Sequence, residues 1–167
     1  MKSRAELLRA IRWLVLVLPA LAMARPDLYQ IPLQGTGSYN QLAGIATLSP
    51  ARSPFGIAIT RDGNFLFDIR VSVPVLPPPT AFGAGYTTYV AWVTTDQLDR
   101  VERLGPLIAG RPTSGRVAMA KFLVVITAEA SAAGAKWSGP IVMKGTSPSN
   151  YLTNFSGHTM FNGGVPQ

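Results

Sequence analysis

From residue 55 onward the chain is a succession of short β-branched and aromatic runs, interrupted roughly every ten residues by Gly, Pro, Asn or Asp, with hardly a helical period among them. Runs of this kind fit antiparallel strands joined by tight turns. The clearest pair is FGIAIT and FLFDIRVSV, separated by Arg61-Asp62-Gly63-Asn64. The Asp-Gly pair supplies the positive φ that a tight hairpin needs. Beyond it Phe65, Phe67, Ile69, Val71 and Val73 alternate with Leu66, Asp68, Arg70 and Ser72, so one face is apolar. Leu76-Pro77-Pro78-Pro79 ends that strand because proline cannot donate to a ladder.

Further strands are expected over Tyr86 to Thr95 (YTTYVAWVTT) and around residues 103–108, 115–120, 122–129 and 139–144, with one helical turn within residues 96–103. The pattern predicts an all-β protein, an antiparallel β-sandwich (Ig-like) of about seven strands, preceded by one N-terminal hydrophobic helix.

That helix is the second strong signal. Residues 1–12 carry Lys2, Arg4, Arg9 and Arg12 against Glu6 alone, and residues 13–24 run WLVLVLPALAMA without a charge. A basic region, an apolar run broken by Pro19 and an Ala22-Met23-Ala24 triplet are the parts of an export signal. The apolar run is shorter than the roughly 20 residues of a spanning helix, though extension back to Ser3 with snorkelling arginines reaches that length. Residues 1–24 are therefore read as a signal peptide or a retained membrane anchor, with Trp13, Leu14, Leu16 and Leu18 as the anchoring side chains. Residues 25–54, rich in Pro, Gly, Ser and Gln, read as an extended tether with one early strand near Gly44 to Leu48. Residues 55–146 form the β-sandwich domain and residues 147–167 an aromatic, Gly-rich tail.

Charge and composition narrow the function classes. After residue 24 there remain 11 Lys/Arg and 7 Asp/Glu, a net of +4 against +7 for the whole chain, so much of the basic character belongs to the leader. No cluster of cations interleaved with aromatics is present, which argues against nucleic-acid binding. The chain has no cysteine, excluding disulfides, thiolate metal sites and iron–sulfur clusters. Only 14% of residues are charged, as in a domain that hides part of its surface against a partner or membrane, or in a β-rich core with Ser/Thr/Gly loops.

Catalytic constellations are hard to assemble. His158 is the only histidine, so a zinc triad or two-histidine copper site cannot be built within one chain. His158 and Met160 are candidates for half of a metal ligand set, against the plainer reading of a solvated tail histidine. No G-x-S-x-G elbow marks a nucleophile, and the two Gly-Thr loops lack the lysine of a phosphate loop. The acids Asp27, Asp62, Asp68, Asp96, Asp99, Glu102 and Glu129 have ordinary turn, loop or strand-end explanations. No catalytic residue, cofactor or metal is assigned. Trp92, at the centre of a strand, is expected in the core. Trp137 lies in a Gly/Ala turn, where a tryptophan is exposed unless covered, and with Tyr151, Phe155 and Phe161 of the tail it forms the expected partner-binding set.

The residues Tyr89-Val90-Ala91-Trp92, the acidic loop from Asp96 to Asp99, Leu104-Gly105, Ile126-Thr127-Ala128-Glu129, Ala130 to Ala135 and Gly139-Pro140-Ile141-Val142-Met143-Lys144-Gly145 follow a known order of features. In this order the stretch resembles the extracytoplasmic C-terminal domain of anti-sigma-K-type membrane regulators, over about 60 residues. The resemblance implies a β-sandwich outside the cytoplasm. It does not extend to those regulators' cytoplasmic sigma-binding domain, for which the twelve residues before the apolar run leave no room.

The expected function is a non-catalytic periplasmic extrinsic subunit that docks on and stabilises a bacterial membrane protein complex, respiratory or photosynthetic electron transfer being examples. Its partners are subunits of that complex, and the membrane through the N-terminal segment. The alternative is a free periplasmic sensing or metal-carrier domain.

Overall fold

The computed structural model describes residues 29–119 and 121–151, and these are overwhelmingly antiparallel β. Eight strands form one continuous sheet: β1 (Gln30–Gly35), β2 (Ala43–Pro50), β5 (Phe67–Ser72), β6 (Thr88–Thr94), β7 (Val101–Leu107), β8 (Thr113–Val117), β9 (Leu123–Glu129) and β10 (Ile141–Thr146). Their order is β7-β6-β9-β10-β1-β2-β5-β8. Two very short strands, β3 (Arg52–Ser53) and β4 (Gly56–Ile57), pair only with each other as a small arm between β2 and β5.

All-β antiparallel structure is as expected, but the division into two packed sheets is not what the pairing shows. The sheet curls until its edge strands approach: Thr113 Oγ1 donates to the Pro106 carbonyl at 2.5 Å, and the Leu104 side chain lies over Gly115. The result is a nearly closed eight-stranded barrel. Closure matters because the sequence rule of one apolar face per strand then points every strand at a common interior. Ile31 and Leu33, Ala46 and Leu48, Ile69 and Val71, Tyr89, Ala91 and Val93, Val117, Val124, Ile126 and Ala128, and Val142 and Met143 form that single core.

The alternation read beyond the Asp-Gly turn holds for Ile69, Val71 and Val73, all buried, while Arg70 faces solvent. The turn itself is tight, with Gly63 at φ +79°, its N–H donating to the Thr60 carbonyl at 3.0 Å and Ile59 bridged to Phe65.

Two expectations need correction, and a third lies outside the described residues. Residues 25–54 do not form an extended tether over their described part, because β1 and β2 occupy the middle of the sheet. Pro32 disguised β1. Its missing N–H is tolerated because the registered ladder to β10 covers only Gln34 and Gly35. Close packing of β10 on β1 in turn needs Gly145, where a Cβ would fall 2.6 Å from the Pro32 carbonyl oxygen. Second, residues 96–100 are a turn between β6 and β7, with Leu98 at φ +60°, instead of a helical turn. The Thr95 hydroxyl donates to the Asp99 carboxylate there, which holds that exposed carboxyl below its ordinary range. Third, the N-terminal hydrophobic helix, with Trp13, Leu14, Leu16 and Leu18, lies outside the described residues.

One buried group is out of balance. Thr94 is fully buried and its hydroxyl has no hydrogen-bond partner. Thr94→Val, which keeps the shape and removes the unsatisfied group, is expected to raise stability by about 1 kcal/mol, measured as a higher urea midpoint with an unchanged slope.

Candidate functional site

The two ends of the barrel are built differently. At one end β1 finishes and β6 starts, and the short 3-10 turns Gly37–Tyr39 and Pro79–Phe82 fold over the opening. Tyr39 and Phe82 stack with ring centroids 4.4 Å apart, and Phe82 meets Tyr89 edge-on at 6.1 Å. The Tyr89 hydroxyl donates to the Pro77 carbonyl at 2.8 Å, and burial, then the neighbouring Tyr39, pushes the phenol up to about 12. It stays neutral at physiological pH and serves as an aromatic plug.

The outer face of β6 and β9 near this end is also covered. Alternation along β9 sends Leu123, Val125, Thr127 and Glu129 outward, where Val90 and Trp92 of β6 meet them. The loop from β9 to β10 closes over this second cluster, tied by Thr87 Oγ1 to the Ala130 carbonyl at 2.8 Å and by Arg103 to the Ala132 carbonyl. Trp137 in that loop packs edge-on against Trp92, with centroids 6.0 Å apart, and is half-buried.

Beneath the loop runs a polar relay. Trp92 Nε1 donates to Thr127 Oγ1 at 2.9 Å, Thr127 Oγ1 donates to the Glu129 carboxylate at 2.6 Å, and Glu129 also accepts from the Ser138 hydroxyl at 2.9 Å and the Ser138 and Gly139 amides. Burial alone would raise the Glu129 carboxyl, but these donors outweigh it and hold it below its ordinary value. Every group in the relay is satisfied by another, so it locks the loop and leaves no free acid or base. Glu129 is thus more than a strand-end acid, a role that its position in the sequence does not reveal.

The opposite end is open. Here Tyr29 leads into β1, β2 ends, β5 and β9 begin, and Ser147, Pro148 and Ser149 follow β10. A cavity of about 670 Å³ opens between Leu48, Phe65, Phe67, Met119 and Phe122, with Asn64, Ser147 and Ser149 also in its lining. The arm rises beside it. Phe55 is 99% exposed at its tip, followed by Ile57 at 53%, Ile59 at 58% and Phe65 at 54%. Four large apolar side chains left in water within eleven residues are costly unless something covers them. Between the arm and the barrel wall lies a more polar cleft of about 820 Å³, bordered by Arg52 and the Asp68–Arg116 ion pair at 2.9 Å.

The expected contact residues fall unevenly on this geometry. Trp137 is not a bare loop tip, since it is spent largely on covering Trp92. Trp92 is buried as expected, but in the outer cluster and not in the barrel interior. Tyr151 closes the short 3-10 turn Pro148–Tyr151 at the open end, while Phe155, His158, Met160 and Phe161 lie outside the described residues. The exposure of the arm is not legible in the sequence. FGIAIT reads as an ordinary strand because a strand pattern does not say whether a sheet exists to cover it.

Among the described residues no group of three or more His, Asp or Glu side chains could hold a metal ion, and no helix is long and apolar enough to cross a membrane. No protein-family model, no curated protein and no solved structure matches the chain.

Proposed function

We propose that this chain is an exported, non-catalytic subunit that docks on a membrane protein complex through the open end of its barrel. The observation that carries the reading is the arm: Phe55, Ile57, Ile59 and Phe65 form a continuous apolar projection at the end where the chain enters the sheet. Residues 1–28 are joined to the barrel at that same end, so an apolar leader retained in the membrane holds the arm towards it. The sparse charge of the chain and the satisfied state of Glu129, the one buried carboxylate among the described residues, are in keeping with a binding role. The motif likeness to regulator ectodomains supports an extracytoplasmic location.

The test is a photo-reactive amino acid at position 55 in native membranes, with the protein then recovered under mild detergent. The expected result is a membrane-bound protein that cross-links to an integral membrane protein from position 55 but not from Gly134, in the loop at the other end. A protein recovered alone as a soluble monomer cleaved after Ala24 would refute the reading.

A further inference from the structure

Resting on that membrane-docking reading, we infer that the cavity at the open end of the barrel binds one acyl chain of an anionic lipid. Its volume of about 670 Å³ lies in the range of small-ligand sites, roughly 300–1,000 Å³. Its walls are apolar and built on strand ends: Leu48 from β2, Phe67 from β5, and Met119 and Phe122 from the connection between β8 and β9. The barrel interior beyond Leu48 is filled by side chains and the far end is plugged, so the pocket is blind. Among the described residues no charged side chain lines it, so it suits the uncharged body of a ligand and not a headgroup.

The polar residues in its lining are Tyr29, Asn64, Ser147 and Ser149, of which Ser147 is buried and accepts from the Phe122 amide at 3.2 Å. Exposed Arg61, beside exposed Asp62, belongs to the same turn as the lining residues Gly63 and Asn64. An apolar blind pocket with a cation beside its mouth complements a ligand with an apolar body and an anionic end. A membrane surface offers that chemistry at the height where the arm would hold the mouth. The same chemistry in a free fatty acid provides a soluble probe for the pocket.

The experiment titrates the full chain with a dansyl-labelled undecanoic acid and with its methyl ester, following dansyl emission. Saturable one-to-one binding of both is expected. Phe65→Glu, at the exposed lip, should weaken both by about ten-fold or more. Arg61→Glu should weaken the acid by about three-fold and leave the ester unchanged, with the difference shrinking in high salt. Circular dichroism melts confirm that each variant folds, and the exposed Arg61 keeps the test alive if Phe65→Glu does not.

Absence of saturable binding, or binding indifferent to both substitutions, overturns the inference. So does loss of binding in Leu14→Ser/Leu16→Ser/Leu18→Ser, which places the probe on the leader. Binding that appears only in Phe155→Ser/Phe161→Ser also overturns it, because the pocket then belongs to the chain's own tail. Sedimentation of wild-type protein with native membranes is scored separately, so a membrane-bound protein that takes no probe loses this inference alone. A protein that takes the probe but shows no membrane association loses the docking reading instead.

Discussion

Glu129→Ala is expected to destabilise the barrel by about 2–5 kcal/mol in urea denaturation at neutral pH, among the largest effects of any substitution of a polar residue here. The residue is 3% exposed and accepts from Thr127, Ser138 and Gly139, so removing it leaves the buried Thr127 hydroxyl and the part-buried Ser138 and Gly139 amides without that acceptor and uncouples the loop that carries Trp137. Glu129→Gln keeps the shape but turns an amide NH₂ towards those donors, and should cost about 1–3 kcal/mol. In both variants the Trp92–Trp137 contact loosens, which near-ultraviolet circular dichroism reads directly.

The same carboxylate gives the pH dependence its sign. A folded value below the ordinary 4.5 means that the unfolded chain binds the proton more tightly than the folded one. Its contribution is fully present above that ordinary value and is lost as pH falls through the folded value. The stability gap between wild type and Glu129→Gln should therefore narrow on acidification below about pH 4.5. A gap that stays constant through that range would show that the charge of Glu129 plays no part.

The second large effect concerns docking. Phe55→Ser/Ile57→Ser/Ile59→Ser should abolish co-purification with the integral membrane protein partner while leaving the melting temperature within a degree or two. Each of these side chains contributes about 1.5–3 kcal/mol when fully covered, so losing three exceeds a hundred-fold in affinity even if covering is partial. None belongs to the barrel core, and β3 and β4 pair only with each other, which is why folding should survive. Neutralising Arg52 and Arg61 instead should produce a small, salt-sensitive change, since exposed cations contribute roughly 0–1 kcal/mol each. Association that persists without the apolar arm would move the contact elsewhere, and a lost cooperative melt would make the arm part of the fold.

The division between what sequence and tertiary structure decide runs along physical lines. Alternation over Phe65 to Val73 and the Gly63 turn are local, set by the two-residue period of a strand and the freedom of glycine at positive φ, and both are plain in the chain. β6, β9 and β10 are legible for the same reason, as dense β-branched and aromatic runs. β1 was not, because Pro32 interrupts its pattern and one of its two partners, β10, lies more than a hundred residues away, where it tolerates Pro32 and requires Gly145. Whether eight strands make two sheets or one curled sheet depends on edges meeting in space, as Leu104 meets Gly115, and no local pattern records it.

The sites divide in the same way. An apolar leader and the absence of cysteine and of a second histidine are properties of composition, and they exclude whole classes of chemistry without a structure. Exposure is not such a property. Trp137 and Phe55 both sit in turn-flanked segments, yet one is folded under by a loop that Glu129 locks and the other stands free on an arm that no sheet receives. Burial is a relation between distant segments, so only the tertiary structure could decide which of the two is exposed.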